Sequence, residues 1–242
     1  MFLLASAAAA AERRAERGQL FHRARQASQA RRHSEFAALL KQIGRQSGEL
    51  GCLELLLLMG GYKGLVREKQ RRVREEGLEE WERQKSAEEV KELCREVLAC
   101  CRDTFLHKPC PDCSMDGQVY YTRLEGDFWR YLAELESGAA QAVAVSGARE
   151  AYAAASGLVQ QLHPAHPSRL CLARGRAIIL GDHLGDPDSA CRLLRRTLAS
   201  AGLHLQEAEY DEDDQQEALM YMEQLGKLLA EWADVSRGRG KA

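Results

Sequence analysis

An arginine set among aromatic residues is the strongest chemical feature of this chain. Tyr121 to Glu134 reads YTRLEGDFWRYLAE, with Leu124, Phe128, Trp129, Tyr131 and Leu132 at helical spacing. Arg130 and Tyr131 fall near the middle of that stretch. A guanidinium among aromatic rings is costly to bury unpaired. Asp127 at i−3 and Glu134 at i+4 are placed to hold it. An arginine fixed this way beside a phenol can bind a phosphate or a carboxylate. The alternative is a structural arginine in a helix–helix ion pair, since such networks also hold arginines without any ligand.

Other chemistry is sparse. Cys110-Pro-Asp-Cys113 is a CxxC in a loop, which is half a zinc site. No second CxxC or HxxxH follows at standard spacing, so two loop cysteines are expected, with metal or redox chemistry through Cys110 and Cys113 as the lesser reading. No nucleophile–base pair, glycine-rich phosphate loop or HExxH stretch occurs. The expectation is therefore a protein that is not an enzyme and needs no cofactor and no metal.

The elements that must position Arg130 are helices almost throughout. The 242 residues include only 5 prolines, and long Ala/Leu/Glu/Arg-rich runs separate them. No stretch alternates with period two between turn residues, as a strand would. Ser34 is expected to cap a helix from Glu35, and Ser86-Ala-Glu-Glu89 to be a capping box. Between them a long helix runs from Cys52 through Gly60, Gly61 and Gly64, glycines that let another backbone come close. Pro167 is expected near N1 of a helix, and Asp186-Pro187 is a strong start signal for the next. The fold class predicted is all-α, nine helices, antiparallel by their short connections.

Composition limits the partners. Lys+Arg is 34 and Asp+Glu is 36, a formal charge of −2, so any anion site is local and nucleic acid is not expected. The 8 cysteines fall mostly inside helical patterns, which suits reduced thiols and a cytoplasmic location. MFLLASAAAAAE lacks a basic n-region and reads as a helical extension rather than a leader. LELLLLMGG is too short to span a membrane, so no membrane association is expected. Residues 1–19 are expected to form the extension, 20–234 the helical domain and 235–242 a basic disordered tail.

Several stretches, in order, resemble the 14-3-3 family. They are LFHRARQASQARRHSEFAALLK, LLLMGGYKGLVREKQRRVR, KELCREVLACCRDTFL, YYTRLEGDFWRYLAE, HPAHPSRLCLARGRAIIL, DPDSAC and LGKLLAEW. The resemblance spans about Leu20 to Trp232 and identifies the chain as a divergent member. It implies a cup-shaped dimer that binds phosphoserine or phosphothreonine segments of partner proteins. The family's pocket lysine falls on Lys63 and its Arg-Tyr pair on Arg130 and Tyr131. Its remaining pocket arginine falls on Gln70, a lost charge. Arg67 at i+4 and Arg74 at i+11 lie on the Lys63 face and are candidates to replace it; a solvated basic stripe is the alternative.

Two asparagines that hold the ligand main chain in the family fall on Gly175 and Leu228, which have no amide to offer. Restoring asparagine there is expected to recover affinity. Ile178, Met220 and Tyr221 suit the family's apolar wall, while Arg174, Gln224 and Glu231 do not. Arg32 and Glu35, with Lys85 and Glu89, match charges of the dimer interface. The resemblance thus implies a non-enzymatic adaptor with weakened or altered selectivity, as a homodimer or a heterodimer with other 14-3-3 proteins. The alternative is a degenerate member acting through dimerisation alone.

Overall fold

The computed structural model describes residues 2–45, 52–104, 114–205 and 212–239. Cys110 and Cys113 lie outside the described residues. Nine α-helices and no strand occur among the described residues, as the pattern predicts. The chain divides into two compact units, Met1–Asp112 and Cys113–Ala242.

The first unit holds α1 (Phe2–Gln29), α2 (His33–Gly44), α3 (Cys52–Val73) and α4 (Glu80–Thr104). α1 packs on α2 and α3 on α4, the neighbour pairing that short connections impose. Arg31 makes the turn between α1 and α2 with φ 54°, a left-handed conformation in a non-glycine residue. Leu40, Ile43, Leu55, Leu58, Tyr62, Val66, Val90 and Val97 form the core. Gly61 is where α2 comes close: a Cβ there would lie 2.9 Å from Leu40 Cδ2 and 3.2 Å from Phe36 Cζ. Gly64 has open space instead, so the close approach expected of it is absent. Arg17 of α1 is buried and contacts Glu54 at 3.4 Å.

Two start signals in this unit differ from expectation. α2 begins at His33 with Arg32 in the cap position and no side-chain cap bond, so Ser34 is inside the helix. α4 begins at Glu80, and Ser86 is buried within it rather than capping it. The break before α4 is set at Gly77, with φ 85°; nothing between Glu80 and Ser86 interrupts a helix. α1 also runs without a break through residue 19, so the expected extension is continuous with the helix that follows.

The second unit holds α5 (Met115–Leu135), α6 (Gly138–Leu158), α7 (Pro167–Ile178), α8 (Pro187–His204) and α9 (Glu212–Arg239). A 3-10 turn, Val159–Gln161, follows α6, and a π-helical turn, Ile179–His183, follows α7. Ser114 caps α5, its Oγ accepting from the Gly117 N–H at 3.1 Å. Asp186 caps α8, its Oδ1 accepting from Ser189 N–H at 2.9 Å, with Pro187 following as predicted. Pro167 likewise opens α7, behind His166, whose Nδ1 accepts from Ser168 N–H. α9 stays helical to Arg239, through the start of the stretch expected as a disordered tail.

Glycines set the packing of this unit. Tyr152 of α6 lies over two of them, Gly126 of α5 and Gly175 of α7. A Cβ on either would come within 2.5 Å of the tyrosine. Trp129 packs on Gly147 and Trp232 on Gly181 in the same way. The buried face of α6 is Ala144, Ala148, Ala151 and Ala155, small side chains that bring α5 close along its length.

A buried arginine cluster and its relatives

Arg123, Asp127, Arg130 and Glu134 are spaced four, three and four residues apart, which places them on one stripe of α5. Asp127 is the centre. Its Oδ2 accepts from Arg123 Nη1 at 2.6 Å and its Oδ1 from the Tyr152 hydroxyl at 2.7 Å. Arg130 Nη2 lies 3.8 Å from the same Oδ1. Arg130 Nη1 donates to Glu134 Oε1, and its Nε donates to the Tyr152 oxygen at 3.4 Å. The Arg130 guanidinium also lies over the Tyr131 ring, 4.5 Å from its centroid. Asp127 and Glu134 therefore hold Arg130 as their spacing predicts.

The cluster is dry. Arg123, Asp127 and Arg130 are 2%, 4% and 5% exposed. Burial opposes the charged form of Arg130, but Tyr152, Tyr131, Asp127 and Glu134 more than offset it and hold the guanidinium charged. Burial, with Asp127 beside it, pushes the Tyr152 phenol well above its ordinary value. Two guanidiniums face two carboxylates, so the cluster has no formal net charge. Glu134 has the most exposed side chain among the partners of Arg130, 21%, and is the one an incoming anion would most readily replace.

The other expected site residues are placed unevenly. In the first unit Lys63 is half-buried on α3, Arg67 is exposed, and Gln70 is buried. Arg74 lies just past the end of α3 and is exposed. In the second unit Ile178 and Tyr221 are buried in one core cluster, with Leu228 packed against it. Met220 is exposed. Gly175 is filled: the Tyr152 hydroxyl occupies the place that a side chain at 175 would need. An asparagine there would have to displace a buried, twice-bonded tyrosine, so the recovery expected of that restoration does not fit the packing.

The expected dimer charges have partners within the chain. Arg32 pairs with Glu35 at 2.7 Å, and Glu89 pairs with Lys69. Lys85 is exposed. No group of three His, Cys, Asp or Glu residues among those described is arranged for a metal ion. No helix among the described residues is long and apolar enough to cross a membrane.

Tyr152 is the site residue that sequence reasoning missed. It stands in AREAYAAAS, where no spacing rule ties it to Arg130 or Asp127. Its one signal is size, a lone large side chain on an alanine face, which needs a matching gap on the neighbouring helices.

An all-α chain built around a tyrosine-capped arginine pair on its fifth helix has known relatives. The sequence profile of the 14-3-3 protein family matches residues 23–233. The chain is 30% identical over 234 residues to human 14-3-3 protein eta, covering 90% of this chain and 94% of the relative. It is 29% identical over 236 residues to 14-3-3 protein homolog 1 of Schistosoma mansoni, covering 91% of each. It is 29% identical over 238 residues to 14-3-3 protein beta/alpha-1 of Oncorhynchus mykiss, covering 92% and 96%. The chain belongs to the 14-3-3 family, as a divergent member. That is a family of non-enzymatic adaptors and scaffolds, typically dimeric and generally cytoplasmic.

Proposed function

We propose that this chain is an adaptor that binds phosphoserine or phosphothreonine segments of partner proteins, more weakly or with other preferences than its relatives. Lys63 and Arg130–Tyr131 are the residues assigned to the phosphate, with Arg67 or Arg74 supplying charge absent at Gln70. The observation that carries the reading is the fixed posture of Arg130. Tyr131, Asp127 and Tyr152 hold it, and Glu134 is the partner a phosphate would exchange with. A phosphate dianion accepts more charge-assisted bonds than a carboxylate, which favours the exchange, while displacing Glu134 offsets much of the gain. Main-chain clamping is absent at Gly175 and Leu228, which at roughly 1 kcal/mol for each lost hydrogen bond weakens binding by about tenfold or more.

The alternative, dimerisation without phosphopeptide binding, is favoured by the same cluster read differently: Arg130 is already neutralised and Gly175 already filled. Arg32, Glu35, Lys85 and Glu89 are the residues proposed for self-association, as a homodimer or with other members of the family. Titration of a phosphopeptide against its unphosphorylated twin separates the two readings. The adaptor reading expects preference for the phosphorylated form, weakened by salt and by Lys63→Gln. Equal affinity for both peptides, or binding of neither, replaces it with the dimerisation reading.

A further inference from the structure

α7, α8 and the segment before α7 line an open cleft of about 840 Å³ in the second unit, with five arginines and no carboxylate in its lining. The arginines come from two stripes. Arg169 and Arg176 are seven residues apart, on one face of α7. Arg192, Arg195 and Arg196 are at i, i+3 and i+4 of α8, again one face. Among the described residues this is the opposite of the arrangement around Arg130, where each guanidinium has an acid within reach. Arg192 bonds the Ser189 hydroxyl at 2.6 Å and Arg169 the Leu162 carbonyl at 3.1 Å. Both are neutral acceptors; outside the lining, the Asp186 carboxylate acts on Arg192. Arg176 is half-buried, and burial lowers its pKa with no acid opposing the shift.

Like charges so placed repel, and a half-buried guanidinium is held at a cost in solvation. Five of them facing one cavity focus a positive potential into it. We propose that this cleft is a second anion site, separate from the Arg130 cluster, and that it takes a small ligand carrying several phosphate groups on one compact frame. An inositol polyphosphate, free or as a phosphoinositide headgroup, has that chemistry. One phosphate engages two or three guanidiniums at most, so the five arginines are matched only by a ligand with more than one. Ser200 adds a hydroxyl on the α8 side, whereas the Thr197 hydroxyl donates to the Leu193 carbonyl at 2.9 Å. No aromatic side chain lines the cleft, so it offers no base-stacking surface for a nucleotide or single-stranded nucleic acid.

The test uses the full chain and inositol hexakisphosphate as probe, followed by calorimetry at about 0.15 M salt. Saturable binding is expected, with inorganic phosphate far weaker. Arg176→Gln combined with Arg195→Gln should weaken it by about tenfold or more, while Arg23→Gln, at an exposed position of α1, should change it less than about twofold. Flotation with vesicles containing phosphatidylinositol bisphosphate, against vesicles matched in charge with phosphatidylserine, distinguishes headgroup from free ligand. Preference for the phosphoinositide that Arg176→Gln removes assigns the headgroup; binding of the soluble probe alone assigns the free molecule. No saturable binding of either kind up to about 1 mM overturns the proposal. So does equal loss from Arg23→Gln and the Arg176 variant. None of these results depends on whether a phosphopeptide binds.

Discussion

The second unit holds two groups of arginines that the same physical chemistry treats in opposite ways. On α5, Arg123 and Arg130 are almost fully enclosed, and each meets a carboxylate of its own helix. Between α7 and α8, five arginines share a cleft with no carboxylate lining it. The first group would not survive burial without Asp127 and Glu134. The second keeps its charge because solvent still reaches it. An arginine's residue type therefore says less about its role than the acids within reach of it. A guanidinium paired by its own chain reaches a ligand only by exchanging a partner, and one that bonds no acid can meet a ligand directly.

The contrast is broken most severely at its centre. Asp127→Ala removes the acid shared by Arg123 and Arg130 and leaves Tyr152 without its acceptor. Chemical denaturation should show a loss of about 3–5 kcal/mol, the cost of stranding buried charge. Arg195→Gln in the open cleft should stay within about 0.5 kcal/mol of the parent. Comparable losses in the two variants would erase the distinction.

Packing comes next in size. Gly126→Ala sets a Cβ 2.5 Å from the Tyr152 ring. It should cost about 1–3 kcal/mol, as overpacked cores do, and lower the melting temperature in calorimetry. Gly175→Asn meets the same ring from α7 and should also destabilise rather than create a peptide clamp.

A gentler change converts one kind of arginine toward the other. Glu134→Gln removes one of the charges on Arg130 while keeping an oxygen that can accept its hydrogen bond. Phosphopeptide affinity should rise by about threefold to tenfold, since charge-assisted bonds are about twice as strong as neutral ones. An unchanged affinity would show that Glu134 does not compete with the ligand.

The smallest effect is a pH dependence at the start of α8. The hydrogen bond from Ser189 holds the Asp186 carboxyl below its ordinary value of 3.8. A carboxylate with a lowered folded pKa contributes stability that is present above its unfolded pKa and disappears as pH falls through the folded one. Asp186→Asn should therefore lower the melting temperature slightly near neutral pH, where that contribution is present, and flatten the acid limb, so that the two profiles converge at low pH.

What the sequence made legible was local. Asp186-Pro187 announced α8 because capping and proline geometry act within a few residues. Asp127 and Glu134 could be assigned to Arg130 because helical spacing alone brings them together. Ser86 misled because a capping box is a permissive signal, and an uninterrupted helix-forming stretch from Glu80 overrode it. Tyr152 and the arginine cleft were illegible for another reason. Each depends on side chains from separate helices meeting, and no spacing rule within one helix encodes that. The family resemblance located Gly175 as a lost asparagine. Only the packing shows that a tyrosine from another helix occupies the space.

That tyrosine has a consequence for motion. An aromatic ring turns about its long axis by sweeping its edges through the space above and below its plane. The Tyr152 ring borders the backbone of α5 at Gly126 and of α7 at Gly175, and its hydroxyl is tied to Asp127 and Arg130. It can turn over only when those helices part for a moment. In a nuclear magnetic resonance spectrum the two sides of this ring should give separate signals, whereas a loosely packed tyrosine gives one averaged set. The temperature at which they merge would time how often the second unit breathes.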